Sequence, residues 1–179
     1  MRRRAVLAGL WAVLWTGAGC FINWAVLGPD DLPQTGDVLT IESPTRLVIK
    51  AGETGYLGGR IVVEEDGVLN LLVEGELSVA EEAGIESRGG RVAWTHAGLL
   101  HGNDFSLTSA AGGNITVDAE QGSIELDNLA ILSESEGSLY WSSAGMHVNN
   151  MNVKSTGADA SITETGGMQV NDMALRAED

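Results

Sequence analysis

From Val38 onward, apolar and polar residues alternate over short runs that are interrupted by glycine. Successive side chains of a strand point to opposite faces, so an apolar-x-apolar run has one buried face and one solvated face. Such runs open at residues 38–41 and 47–49, and no later stretch has a convincing helical period. The pattern therefore predicts an all-β domain over residues 38–179.

An eight-residue unit recurs within this domain. Its three clearest copies begin at Ile124, Met146 and Met168, so the spacing between successive copies is constant. Looser copies begin at Leu100 and Leu72, and their spacing is somewhat wider. The apolar positions of each copy share one face, and we expect them to form a common core. The predicted core residues of the three clear copies are Ile124, Leu126, Leu129, Ile131, Met146, Val148, Met151, Val153, Met168, Val170, Met173 and Leu175.

A shorter apolar strand precedes most copies, at residues 92–94, 115–117 and 139–141 and around Ile162. An Asp/Asn pair separates the two halves of each clear copy, and these short side chains suit a corner because they bond to nearby backbone. About five units of roughly 22 residues, stacked on one another, would bury a continuous apolar stripe, which is typical of a β-solenoid. The same alternation also fits a repetitive antiparallel β-jellyroll in which each unit is a hairpin.

The chain begins with a basic end, residues 1–4, followed by an uncharged apolar segment, residues 5–27. As a helix this segment would reach about 34 Å, enough for the ~30 Å hydrocarbon core of a bilayer. Arginines before it and aspartates after it orient the N-terminus toward the cytoplasm. We therefore predict a single-pass membrane protein in which an N-terminal transmembrane signal-anchor helix follows the cytoplasmic end. A linker (28–37) then leads to an extracytoplasmic β-repeat domain (38–179), either extracellular or periplasmic.

The apolar segment also has features of an export signal. Residues 2–7 resemble the n-region of a twin-arginine signal, and residues 17–20 resemble a lipobox, which makes Cys20 a candidate lipidation site. A signal peptide that is simply cleaved is a third interpretation. The anchor and the lipoprotein interpretations both leave a tethered domain outside the cytoplasm.

The charge of the chain excludes one class of partner. There are 25 acidic and 10 basic residues, giving a net charge of −15. A surface this acidic lacks the basic footprint that phosphate binding needs, so we expect no nucleic-acid partner. The single cysteine, Cys20, excludes intrachain disulfides and thiolate metal clusters.

The reactive side chains form no recognisable catalytic motif. His96, His101 and His147 lie far apart or at outward positions and have no ligand spacing. No serine lies in a nucleophile elbow, and no glycine-rich phosphate loop precedes a helix. The acidic runs at residues 64–66 and 81–82 are typical of solvated turns. We therefore predict a protein that is not an enzyme, with no catalytic, cofactor-binding or metal-binding residues.

Other conspicuous residues have structural or processing interpretations. The methionines at repeat positions are expected to fill the core. Trp94 and Trp141 occupy equivalent strand positions and are expected in the core or at a cap. Asn114 begins an Asn-Ile-Thr sequon and is a candidate N-glycosylation site if the chain passes through a glycosylating compartment.

Several segments resemble the sarcoglycans. Residues 39–51, LTIESPTRLVIKA, resemble the ESPTR-containing stretch of that family. Residues 115–126 look like the strand-turn-strand that follows it, and residues 129–137 continue the likeness. The resemblance implies a membrane-anchored, non-enzymatic subunit of a homo- or heteromeric complex, in which β-solenoids wind together outside the cytoplasm.

Two further resemblances stay open. The single N-terminal span, the chain length and the repeats around residues 137–146 resemble the bitopic periplasmic component of lipopolysaccharide export, with its β-jellyroll. That resemblance implies lipid transport along an open groove lined by the apolar face. The arginine run, Cys20, the acidity and the presence of only two lysines resemble a haloarchaeal-type surface lipoprotein.

The C-terminal copy of the repeat runs nearly to Asp179 without an evident cap. An uncapped repeat exposes strand edges, which invite pairing with another chain. We therefore expect a membrane-tethered structural or assembly subunit that forms homo- or hetero-oligomers through the edges of its β-repeats.

Overall fold

The computed structural model describes residues 24–178, and apart from a short 3-10 helix at Pro29–Asp31 their regular structure is entirely β. The smaller of two sheets contains seven strands in the order β1 (Ala25–Leu27), β3 (Pro44–Ile49), β6 (Val68–Val73), β9 (Arg91–His96), β11 (Asn114–Ala119), β13 (Ser138–Ser143) and β15 (Asp159–Glu164). The larger sheet contains nine strands, namely β16 (Met168–Glu178), β14 (Met146–Thr156), β12 (Ser123–Glu134), β10 (Leu99–Ala110), β8 (Ala83–Arg88), β5 (Arg60–Val63), β2 (Val38–Ile41), β7 (Glu76–Val79) and β4 (Thr54–Leu57).

Each strand pairs in parallel with the strand one coil away rather than with its neighbour along the chain. This pairing confirms the β-solenoid. The antiparallel jellyroll is wrong, because a hairpin requires consecutive strands to pair in opposite directions.

The solenoid has seven coils rather than the five that the repeat predicted, since the chain crosses the smaller sheet seven times. The length of a coil varies along the stack: Ile115 lies beside Leu139, whereas Leu139 lies beside Ala160, which is nearer in the chain. The early coils lack the eight-residue pattern, because two short strands stand where later coils have one long strand. These short strands are β4 with β5 and β7 with β8.

One looser copy of the repeat was assigned to the wrong strand. Leu100 lies beside Ile124, as predicted, but on its other side it lies beside Leu77 of β7. Leu72 belongs to β6 in the smaller sheet, and the string that begins there runs across the turn at Gly75. An alternation of period two is the same on both sides of a turn, so the sequence alone did not reveal the turn.

One continuous hydrophobic core fills the space between the sheets. Trp94 and Trp141 lie inside it with ring centroids 6.2 Å apart, and Val117 lies between them in the register. The predicted core residues of the first two clear copies are all at most 8% exposed: Ile124, Leu126, Leu129, Ile131, Met146, Val148, Met151 and Val153. The last copy differs, because Val170 is only partly buried and three residues are exposed, namely Met168, Met173 and Leu175.

Glycines at the turns allow the coils to stack closely. A Cβ atom on Gly98 would lie 1.6 Å from the carbonyl oxygen of Gly75 one coil earlier. That carbonyl accepts a hydrogen bond from the N–H of Leu99 at 3.0 Å, which ties the two coils together. Only a residue without a side chain fits between them.

The long strands of the larger sheet bend at the predicted Asp/Asn corners. In β12, Leu126 is buried, Asp127 and Asn128 both face outward, and Leu129 is buried again. The inward alternation therefore slips by one residue, which a strand achieves by turning a corner while staying in its sheet.

The structure corrects the boundary between the apolar segment and the domain. Ala25–Leu27, placed by the sequence at the end of the span, form β1 and pair with β3, and Leu27 packs against the core. Residues 28–37, predicted as a linker, are docked on the first coil: Leu32 is buried, and the N–H groups of Gly58 and Gly59 donate to the Pro33 carbonyl.

Residues 5–23 of the predicted span, including Cys20, lie outside the described residues. Within residues 24–178 no helix is both long and apolar enough to cross a bilayer.

Candidate functional site

Strands β15 and β16 form one end of the described solenoid, which we call the open end. It exposes apolar side chains whose counterparts one coil earlier are buried: Met151 is 2% exposed and its register partner Met173 is 47% exposed. Val153 and Leu175, at 8% and 67%, show the same contrast. The apolar pattern of β16 therefore continues the core into a face that nothing in residues 24–178 covers.

The backbone at the open end is also available for pairing. β16 pairs with β14 along its length, and within the described residues no strand pairs with its other edge. β15 likewise pairs with β13 on one edge, and within the described residues no strand pairs with its other edge. A long edge strand with exposed apolar residues is a template for pairing with another strand.

The opposite end of the solenoid is closed. The 3-10 helix and residues 32–37 belong to the first coil, in which the inward residues Leu32 and Ile41 are 4% and 3% exposed. The N–H of Arg60 donates to the Asp37 carbonyl at 3.0 Å, which ties the first coil to the second. The two ends therefore differ in the apolar surface that they present.

Two ladders of amide and carboxylate side chains run along the bend of the larger sheet. In one ladder Asn171 donates to Asn149 at 2.7 Å, and Asn149 donates to Asp127 at 2.6 Å. In the other, Asn150 donates to Asn128 at 2.8 Å, and Asn128 donates to Asp104 at 2.5 Å. Each amide bonds to the coil before it, so together the ladders link four successive coils and stop at the open end. The sequence predicted the corners, but the ladders depend on the register.

A groove of about 550 Å³ follows the same bend on the outside of the solenoid. Its wall is the second ladder together with Asp172, and small residues such as Ala130 and Ala174 leave room beside it. Asp104, Asp172 and Glu82 make its lining acidic, and no basic residue lines it.

The three histidines lie in different environments. His96, expected at a distant or outward position, is instead 1% exposed in the core, and burial lowers its pKa to about 4 because the charged form is removed from water. His101 and His147 face outward on the same column with Glu125 between them, and the His101 Nε2 atom lies 2.7 Å from Glu76 Oε1. The offsets between the repeat copies could have revealed this column. Among residues 24–178, no three His, Cys, Asp or Glu side chains converge on a metal position.

An ionic network that the sequence did not reveal covers part of the larger sheet. Glu86, 8% exposed, pairs with Arg60 and with Arg88, whose Nε lies 2.5 Å from Glu86 Oε1. The hydrogen bond to Glu86 raises the pKa of Arg88. The network lies beside Val62, an outward-facing residue that is only 4% exposed, so we interpret it as part of the packing.

Asn114, the candidate glycosylation site, is half-buried on the outer face of the smaller sheet. Its Nδ2 donates to Ser138 Oγ of the next coil at 2.6 Å, and Thr116 Oγ1 donates back to Asn114 Oδ1 at 3.3 Å. The Asn and Thr side chains of the sequon therefore both form hydrogen bonds on the outer face of the sheet. Glycosylation of Asn114 stays a prediction.

No protein-family model matches the chain, and no match was found among curated proteins or solved structures. The resemblances to sarcoglycans, to the lipopolysaccharide-export component and to surface lipoproteins therefore stay predictions. In the second of these, inward positions such as Val148 would contact acyl chains, whereas Val148 is 0% exposed within the packed core.

Proposed function

We propose that this protein is a non-enzymatic, membrane-tethered structural subunit whose β-solenoid associates with like or related chains through the open end. The observation that carries the proposal is the exposure of Met168, Met173 and Leu175, whose counterparts one coil earlier are buried. A single coil cannot bury its own apolar face, so this face gains free energy when another coil covers it.

The expected strength of this association is moderate. Full burial of an exposed Met or Leu side chain contributes about 1.5–3 kcal/mol. Met168, Met173 and Leu175 are 36%, 47% and 67% exposed, so covering what remains of them contributes roughly 2–5 kcal/mol for each chain. Loss of translational and rotational freedom costs about 4–15 kcal/mol, and backbone pairing along β16 offsets part of that cost. Confinement to a membrane surface raises the effective concentration of the partners and favours the complex further.

The proposed tether is the apolar N-terminal segment. Because β1 begins at Ala25, residues 5–24 are left for a span, and as a helix they would reach about 30 Å, which still matches a hydrocarbon core. In the alternative lipoprotein interpretation, lipid on Cys20 replaces the span and leaves the domain on the same side of the membrane.

Mass spectrometry of the N-terminus of the membrane-extracted protein tests the tether. An intact sequence from Arg2 onward supports the span, and a lipid-modified Cys20 at the new N-terminus supports the lipoprotein. A chain that has lost its apolar N-terminal segment by cleavage and carries no lipid contradicts a tether of either kind.

Light scattering of the full chain in detergent, with the detergent mass subtracted, tests the association. We expect the native chain to be oligomeric and Leu175→Asp to weaken the complex by at least about tenfold, because a buried carboxylate at the interface is costly. Leu175 is 67% exposed, so the fold should tolerate the change.

Val26→Asp is the matched control, since Val26 is 72% exposed in β1 at the closed end. We expect this variant to keep the native oligomer. A native chain that stays monomeric at high concentration contradicts the proposal, and so does an oligomer that Leu175→Asp leaves unchanged.

A further inference from the structure

The open end is complementary to a second copy of itself, and we propose that two copies meet there about a two-fold axis, with β16 of each paired antiparallel. This inference rests on the proposed function and specifies its partner and geometry. The closed end argues against head-to-tail stacking, because its inward residues Leu32 and Ile41 are already buried and offer little apolar surface for an incoming coil to cover. A two-fold interface uses the same surface on both chains.

The bend in β16 selects the register. Inward positions are Met168 and Val170 before the bend and Met173 and Leu175 after it, as in the paired strand β14. When the two bends are aligned, Val170 lies opposite Met173 of the second copy, and Met168 lies opposite Leu175. Every inward residue of the eight-residue overlap then meets an inward residue, so both copies close one shared core. A shift by one residue would place apolar side chains opposite outward ones.

The ladders at the bend support the same register. Alignment of the bends places Asn171 of each copy opposite Asp172 of the other, and an amide opposite a carboxylate can extend the hydrogen-bonded ladder across the interface. Within each copy Asn171 already donates to Asn149, and Asp172 lies beside Asn150. The only basic residue of β16, Arg176, lies opposite Gly167 of the second copy, so no like charges face each other in the overlap.

Cross-linking in the full chain tests the register, using Cys20→Ser to remove the native thiol. We expect Val170→Cys combined with Met173→Cys to form an intermolecular disulfide rapidly under mild oxidation. Each single variant should cross-link at least about tenfold more slowly, because identical positions lie about three residues, or roughly 10 Å, apart across the two-fold axis. A disulfide needs a Cβ separation of about 3.5–4.5 Å.

A charge substitution provides a second readout that does not depend on thiol chemistry. Asn171→Asp would place carboxylates opposite each other twice in the interface, and we expect it to weaken the dimer by about tenfold at neutral pH. Gln169→Glu adds the same charge to the same strand opposite Ala174, and we expect at most about a twofold change. Equal effects of the two substitutions contradict the register.

The outcomes separate this inference from the proposed function. Cross-linking of the double variant, with slow single variants, supports the two-fold register. An oligomer whose double variant does not cross-link, or whose single variants cross-link as fast, overturns the two-fold register while the edge association stands. A monomeric native chain overturns both.

Discussion

At the scale of single residues, His96 shows how the solenoid changes the chemistry of a side chain. It lies beside Val73 in the register, and its ring lies 5.7 Å from that of Trp94 in an edge-on arrangement. Burial lowers its pKa to about 4, compared with about 6.5 in the unfolded chain. The imidazole is therefore neutral in the folded protein at neutral pH and acts as a core residue.

Replacement of His96 by valine is expected to remove a pH-dependent loss of stability. Between pH 6.5 and about 4 the unfolded native chain binds a proton at this position and the folded chain does not, so the free energy of unfolding falls as pH falls. The loss amounts to roughly 3 kcal/mol by pH 4 and is absent above pH 6.5. Urea unfolding of both proteins from pH 4 to 7.5 measures the difference.

His147→Val serves as the control for this comparison, because His147 is exposed on the outside of β14. A pH dependence that appears with His96→Val and not with His147→Val assigns the effect to the buried imidazole. If the difference between native and His96→Val proteins were the same at every pH, folding would not lower the pKa of His96.

At the scale of elements, the ladders at the bend join strands of neighbouring coils through side-chain hydrogen bonds. Asn150 Nδ2 donates to Asn128 Oδ1 at 2.8 Å and lies 3.4 Å from the Asp127 carbonyl. We expect Asn150→Ala to destabilise the protein by about 1 kcal/mol, the net contribution of such a hydrogen bond. Thermal unfolding with Asn152→Ala as control tests this, since Asn152 is exposed on the same strand. Equal effects of the two substitutions would show that the ladder adds no stability.

The strands themselves were predictable to different degrees. Alternation in β12, β14 and β16 is regular and recurs at a constant offset, so their type and spacing followed from the sequence. In the earlier coils the strand of the larger sheet is divided by residues 58–59 and 80–82, which break the eight-residue pattern. Alternation of period two does not distinguish such a break from a turn between sheets, and this explains the wrong assignment of Leu72.

At the scale of the whole molecule, the solenoid is built from contacts between neighbouring coils. Each coil buries the apolar face of the next, so a residue in the same repeat position is buried or exposed according to the coil that it occupies. Met151 and Met173 have equivalent positions, yet one lies in the core and the other at the open end. The asymmetry between the closed end and the open end is a property of the stack and of no single repeat.

The sequence by itself determined the all-β class, the constant spacing of the clear repeat copies, the corners at the Asp/Asn pairs and the inward positions of those copies. These features depend on the period of the alternation and on local turn chemistry, both of which can be read along the chain. Only the tertiary structure decided that the strands pair in parallel, that there are seven coils, that β1 belongs to the domain, and that His96 lies inside. Those features depend on which strands become neighbours, and contacts between coils join residues that lie a whole coil apart in the chain.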